Sequence, residues 1–257
     1  MAEEGIRLKT ASLAWKLGQA AAFALVVGTA VQLFRGGAFS AFLHMQKDFH
    51  PTFLKLADQG LAVLMLLLAA MALLKRFQLA WLLVALLLLL YGLTSFNTAG
   101  KWHAEWHLLS ALSRALFPVL LFWWGWRAAT PLQMQAAFRG LLALVFFSHG
   151  TLAALQTPDF IDYVLGSFYK LSATYIDEGL VHLGLYVVAF MDVAIALLII
   201  FRPQPWVFVW AFGWIMLTLL MRLLTGGWMN YTEVLMRLPY LYMPWFLWHS
   251  TRYVKAR

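Results

Sequence analysis

The sequence predicts an all-α, polytopic membrane protein with about eight transmembrane helices, and three observations carry that prediction. Of its 257 residues, 63% are hydrophobic and only 12% charged, where a soluble domain averages roughly 45–50% and about 25%. Mean hydropathy is +0.76. The apolar residues fall into runs close to the ~20 residues that a helix needs to cross a bilayer, separated by short turns rich in Lys, Arg, Trp or Pro. The chain has no cysteine, which excludes thiol redox chemistry, Cys-zinc sites, iron–sulfur clusters on cysteines and covalent haem. A net charge of +8 would point to nucleic acid in a soluble protein. Here the bases sit in turns between apolar runs, which the positive-inside rule explains without nucleic acid. The lipid bilayer is the expected partner.

The expected spans are, in order, Trp15–Phe34, Ala57–Leu74, Phe77–Phe96, Leu108–Trp126, Ala136–Gln156, Glu178–Phe201, Trp206–Thr225 and Glu233–His249. The first follows a polar leader carrying Glu3, Glu4, Arg7, Lys9 and Lys16. It lacks a small-residue cleavage site before a polar mature domain, so it reads as a permanent span. Lys75-Arg76 separates the second from the third, and Arg202-Pro203-Gln204-Pro205 is a sharp stop between the sixth and seventh. Arg35–Leu56, Asn97–Trp106 and Thr157–Asp177 are the hinge or extramembrane intervals; the first and last are amphipathic and suit an interfacial position. Trp102, Trp106, Trp123, Trp124, Trp126, Trp206, Trp228, Trp245 and Trp248 lie near span ends, as an aromatic belt does.

Charge sets the expected orientation. With eight crossings, the side holding both termini carries Arg7, Lys9, Lys16, Lys75, Arg76, Arg127, Arg139, Arg202, Arg252, Lys255 and Arg257 against Glu3 and Glu4 alone. The other carboxylates, and every histidine except His249, belong to the opposite half. Both termini are therefore expected in the cytoplasm and the polar chemistry on the exoplasmic side.

The two halves read as copies. A shift of 126 residues brings Arg76 onto Arg202 and Pro118 onto Pro244, and in each half a long amphipathic connection follows the first span. Copies of four spans keep the same orientation, so they are expected as two parallel four-helix bundles, residues 1–130 and 131–257. The segment Arg139-Gly-Leu-Leu-Ala-Leu-Val-Phe-Phe-Ser148-His149-Gly150 resembles the opening helix of the DoxX-like membrane proteins. The long connection after it and the acidic Glu178 opening the next span fit the same pattern. The resemblance covers about residues 139–244, with the first half a diverged copy. A Lys often follows His-Gly in that family, whereas Thr151, Leu152 and Ala153 follow here. The resemblance implies a multi-pass protein of the bacterial inner membrane, with roles ranging from sulfur-linked electron transfer to quinone to chaperone or assembly functions.

Several residues are candidates for chemistry. His149 and Asp192 lie inside neighbouring spans; either they fix packing by a hydrogen bond or they relay protons and contact a quinone. Glu178 and His182, four residues apart, share a helix face and suit either a cap with an interfacial partner, or proton sharing or metal ligation. His103 and His107 have the same spacing within the cluster Lys101–His107, but Glu105 points away, so this is not a zincin motif; they are either wet interfacial residues or ligands to a metal or haem that needs further ligands, for which His44, His50 and His182 are on the same side. Arg222 suits an anion or a quinone carbonyl, and Glu233 with Arg237 an ion pair within one helix. Two functions remain open at this level: a membrane subunit of a quinone-associated redox complex, or a non-catalytic anchor that assembles other membrane subunits. The cofactor is then a quinone, or none.

Overall fold

The computed structural model describes residues 2–36, 40–42, 44, 50–98, 104–127, 130–226 and 230–255. The described residues are almost entirely helical: α1 (Ala2–Gly36), α2 (Pro51–Ala72), α3 (Ala80–Thr98), α4 (Ala104–Arg127), α5 (Pro131–Ala154), α6 (Pro158–Ser172), α7 (Glu178–Phe201), α8 (Pro205–Gly226) and α9 (Tyr231–Lys255). A 3-10 turn, Lys75–Phe77, joins α2 to α3.

Local chemistry fixes the helix starts. Proline at the first position has the right φ and needs no partner for an N–H. It opens α2, α5 and α6, each behind a capping residue in extended conformation. Thr130 and Gln133 form a reciprocal capping box at α5. Asp177 accepts from the Leu180 amide at 3.3 Å and starts α7. His50 accepts from the Thr52 amide at 3.3 Å, so α2 begins six residues before the span expected from hydropathy alone.

Among the described residues, six helices contain stretches long and apolar enough to cross a membrane: Ser12–Gly36, Thr52–Ala72, Leu108–Trp126, Leu132–Ala154, Glu178–Phe201 and Pro205–Gly226. The protein is a multi-pass integral membrane protein. The third and eighth expected spans also fall on helices. The apolar part of α3 is the shorter Ala80–Thr94, and α9 is diluted by Glu233, Arg237 and two prolines. The outward faces confirm the solvent. Leu64, Leu67, Leu83, Leu183, Phe190 and Phe201 are all exposed, an apolar surface that only lipid covers without penalty.

Helices α1 and α5 are the inner ones: 56% of the apolar window of each is buried, against 28% for α2 and α8. Helix α1 packs along α9 as well as α2, and α5 packs against both α7 and α4. Where α4, α5 and α9 meet, Phe117, Phe138, Tyr242 and Phe246 form an aromatic cluster, with Phe138 and Phe246 centroids 5.1 Å apart in edge-to-face geometry. The Tyr242 hydroxyl donates to the Ala14 carbonyl at 2.9 Å, tying α9 to α1. The interval Thr157–Asp177, expected to lie at the interface, contains α6. Its apolar face (Phe160, Ile161, Val164, Leu165) covers Val181, Leu185 and Ala189 of α7, and the chain leaves it through Ala173 in the left-handed conformation.

Candidate functional site

The residues of the Arg139–Gly150 segment have structural work to do. Arg139 donates from Nε to the Ile199 carbonyl at 3.2 Å and from Nη2 to the Ile200 carbonyl at 2.6 Å. It thereby satisfies the open carbonyls, and the negative dipole end, of α7. At Gly150, a Cβ would stand 3.0 Å from the Ala189 carbonyl oxygen, Asp192 Cβ and Val193 Cγ2. Only glycine lets α5 and α7 approach this closely.

That approach buries Asp192, which is 2% exposed. The indole N–H of Trp214 on α8 lies beside its carboxylate, while Oδ1 has no hydrogen-bond partner among the described residues. His149 adjoins Gly150 in sequence but makes no hydrogen bond to Asp192 among the described residues. Its ring packs edge-on against Phe160 of α6, with centroids 5.3 Å apart, and it lies in the electrostatic field of Arg114, Arg222 and Arg237.

Those arginines belong to a second polar centre, built by α1, α3, α4, α6, α8 and α9. Glu233 pairs with Arg237 one turn along α9. Gln32 Nε2 on α1 donates to the other Glu233 oxygen at 2.8 Å, and the Tyr91 hydroxyl on α3 donates to Gln32 Oε1 at 3.0 Å. The Arg222 guanidinium lies 4.7 Å over the Tyr163 ring centroid, a cation–π arrangement. Arg114 lies beside the phenol of Tyr240, whose hydroxyl is 2.8 Å from Ser113 Oγ. Reading the sequence picked out Arg222, Glu233 and Arg237 as candidates but missed Gln32, Tyr91, Tyr163 and Tyr240. The available signal was weak: a lone Gln or Tyr within an apolar run.

The remaining candidates lie apart. Glu178 Oε1 and His182 Nε2 are 3.6 Å apart at the start of α7, roughly 15–21 Å along the helix from Asp192 at 1.5 Å per residue. The Glu178 side chain is 68% exposed, so the pair contributes little to stability. Asp177, not Glu178, caps the helix. His107 falls in the first turn of α4, and His103 lies outside the described residues. Among the described residues, no group of three or more His, Asp or Glu side chains is placed to hold a metal. No protein family, curated protein or solved structure matches the chain.

Proposed function

We propose that the chain is an integral membrane subunit of a quinone-associated redox complex, with its polar residues on the exoplasmic side. The observation that carries the reading is Asp192: a carboxylate buried between apolar helices, with one oxygen lacking a partner among the described residues. An ionisable residue in that setting costs at least ~2.5–3.5 kcal/mol to insert, and where it persists it usually serves a proton or ligand pathway. The donor set suits a quinone head. Asp192 Oδ1 is an acceptor for a quinol hydroxyl, and Trp214 holds the rest of the carboxylate in place. His149 stands on the same segment of α5. When bound, a quinone supplies exchange of two electrons and two protons. This chain contributes an apolar surround and a place to hold a proton at Asp192. The electron donor belongs to a partner subunit, since the sequence has no cysteine for a cluster or c-type haem.

The finer architecture in this proposal is eight crossings, built as two tandem four-helix repeats with both termini cytoplasmic. The pairing of helices supports it. Under the 126-residue shift α1 corresponds to α5, α2 to α7, α3 to α8 and α4 to α9. The contacts α1–α2, α3–α4 and α1–α9 then have the counterparts α5–α7, α8–α9 and α5–α4.

The test is gentle detergent extraction, native mass measurement of what co-purifies, and solvent extraction of quinone. Wild-type preparations are expected to retain quinone and a redox partner, and Asp192→Asn to lose most of the quinone while keeping the complex. A complex that holds no quinone and no redox partner would replace this reading with the assembly scaffold.

A further inference from the structure

Among the described residues, the second polar centre is out of charge balance. Three guanidinium groups, Arg114 on α4, Arg222 on α8 and Arg237 on α9, lie within one another's electrostatic reach around one described carboxylate, Glu233. Glu233 is already committed: one oxygen faces Arg237 and the other accepts from Gln32. Arg222 has an aromatic face beneath it, and Arg114 has a neutral phenol beside it. Neither neutralises a charge. All three are half-buried; cations partly withdrawn from water in an apolar bundle favour anionic partners, and guanidinium forks match tetrahedral oxyanions with parallel charge-assisted hydrogen bonds. A groove of about 310 Å3 between α2 and α3, lined by Gly60, Leu61, Leu64, Leu87 and Leu90, ends at Tyr91. Tyr91 is also the first member of the hydrogen-bonded chain to Glu233.

We propose that Arg114, Arg222 and Arg237 form a binding site for an oxyanion of phosphate or sulfate type, either free or as the head of an anionic lipid whose chain lies in the groove ending at Tyr91. The site goes beyond the quinone reading and does not rest on it: a quinone head is neutral, and quinone retention enters none of the measurements below. The chemistry predicts a distinctive sign. Glu233 competes with the ligand for the arginines, so Glu233→Gln, which keeps the side-chain shape and a hydrogen-bond acceptor, tightens binding. Arg114→Gln weakens it about tenfold, as loss of one charge-assisted hydrogen bond does, while Arg114→Lys retains most of it.

Full-length protein in mild detergent is titrated with sodium phosphate against sodium chloride at matched ionic strength. In a second arm it meets mixed micelles containing phosphatidylglycerol or phosphatidylcholine. Unfolding temperature is followed by tryptophan fluorescence, and retained adducts by native mass measurement. Stabilisation by phosphate over chloride supports the site and identifies a free anion as sufficient. Stabilisation and adduct retention with phosphatidylglycerol alone support it with a lipid headgroup as the source. Absence of both differences overturns the proposal. So does a folded Arg114→Gln protein that binds as tightly as the parent, or a Glu233→Gln protein that binds more weakly. If Arg114→Gln does not fold, Arg222→Gln on α8 carries the same expectation and the same power to refute.

Discussion

At Gly150 the absence of a side chain sets the distance between α5 and α7, and that distance decides how deeply Asp192 is buried. Leucine here would push against the Ala189 carbonyl, Asp192 and Val193 at once. Overpacking of this kind costs about 1–3 kcal/mol. Gly150→Leu is therefore expected to lower the thermal midpoint clearly in detergent. Gly140→Leu, on the same helix where a Cβ meets nothing within 4 Å, should leave it unchanged within error. Equal effects at both positions would remove the close-approach account. Residue by residue, the sequence was legible where a side chain has one dominant use. Arg202-Pro203-Gln204-Pro205 ends one helix and opens the next, and Lys75-Arg76 falls in the turn between two others. It was illegible where use depends on neighbours from distant helices. Arg139 and His149 are ten residues apart in one segment, yet one caps α7 and the other faces Phe160 and the arginines.

Among the elements, α6 is the one that hydropathy describes least well. Its apolar residues are spaced for a single face, and its Asp159, Asp162 and Lys170 are exposed, so the sequence placed it at an interface without saying what it covers. The structure lays it on the first half of α7, and from there it carries Phe160 to His149 and Tyr163 to Arg222. A charge on that face should detach it. Val164→Asp places an unpaired carboxylate against Val181 and its neighbours, at a cost of roughly 1–3 kcal/mol on mutational scales. Amide exchange across residues 158–172 is expected to accelerate, while α5 and α8 stay protected. Protection of α6 that survives the substitution would show that something other than this apolar face holds it down. Proline placement is the second lesson at this scale. Pro118 in α4 and Pro244 in α9 each remove the amide that would bond the carbonyl four residues earlier. Those carbonyls belong to Arg114 and Tyr240, which lie beside each other. The interrupted turns of the two corresponding helices thus face one another across the second polar centre. Hydropathy shows each proline, but only the packing of α4 with α9 shows that they work at one place.

For the whole molecule, the decisive feature is that each half's first helix packs on the other half's last: α1 on α9 and α5 on α4. A simple chain of bundles, in which residues 1–130 fold on themselves and then meet residues 131–257, would not need this. Exchange of partners makes the molecule one interlocked body, and it constrains topology. Gln32, near the end of α1, meets Glu233, near the start of α9, while Ala14 near the start of α1 meets Tyr242 further along α9. The two helices therefore run antiparallel, which requires an even number of crossings between them. The six crossings of the eight-span proposal satisfy that condition, whereas the five left when α3 returns to the side where it begins would set the start of α9 beside the start of α1, away from Gln32. In that proposal loop charge sets the absolute direction, with Lys75, Arg76, Arg127, Arg139 and Arg202 expected on the side of the termini. Reporter fusions at Gly100, Arg202 and the C-terminus test all of this together. Gly100 is expected on the periplasmic side, and Arg202 and the C-terminus in the cytoplasm. If α3 does not cross, Gly100 joins the Lys75-Arg76 side and reports cytoplasmic, which would remove the eight-span architecture and with it the placement of the arginine centre on the exoplasmic face.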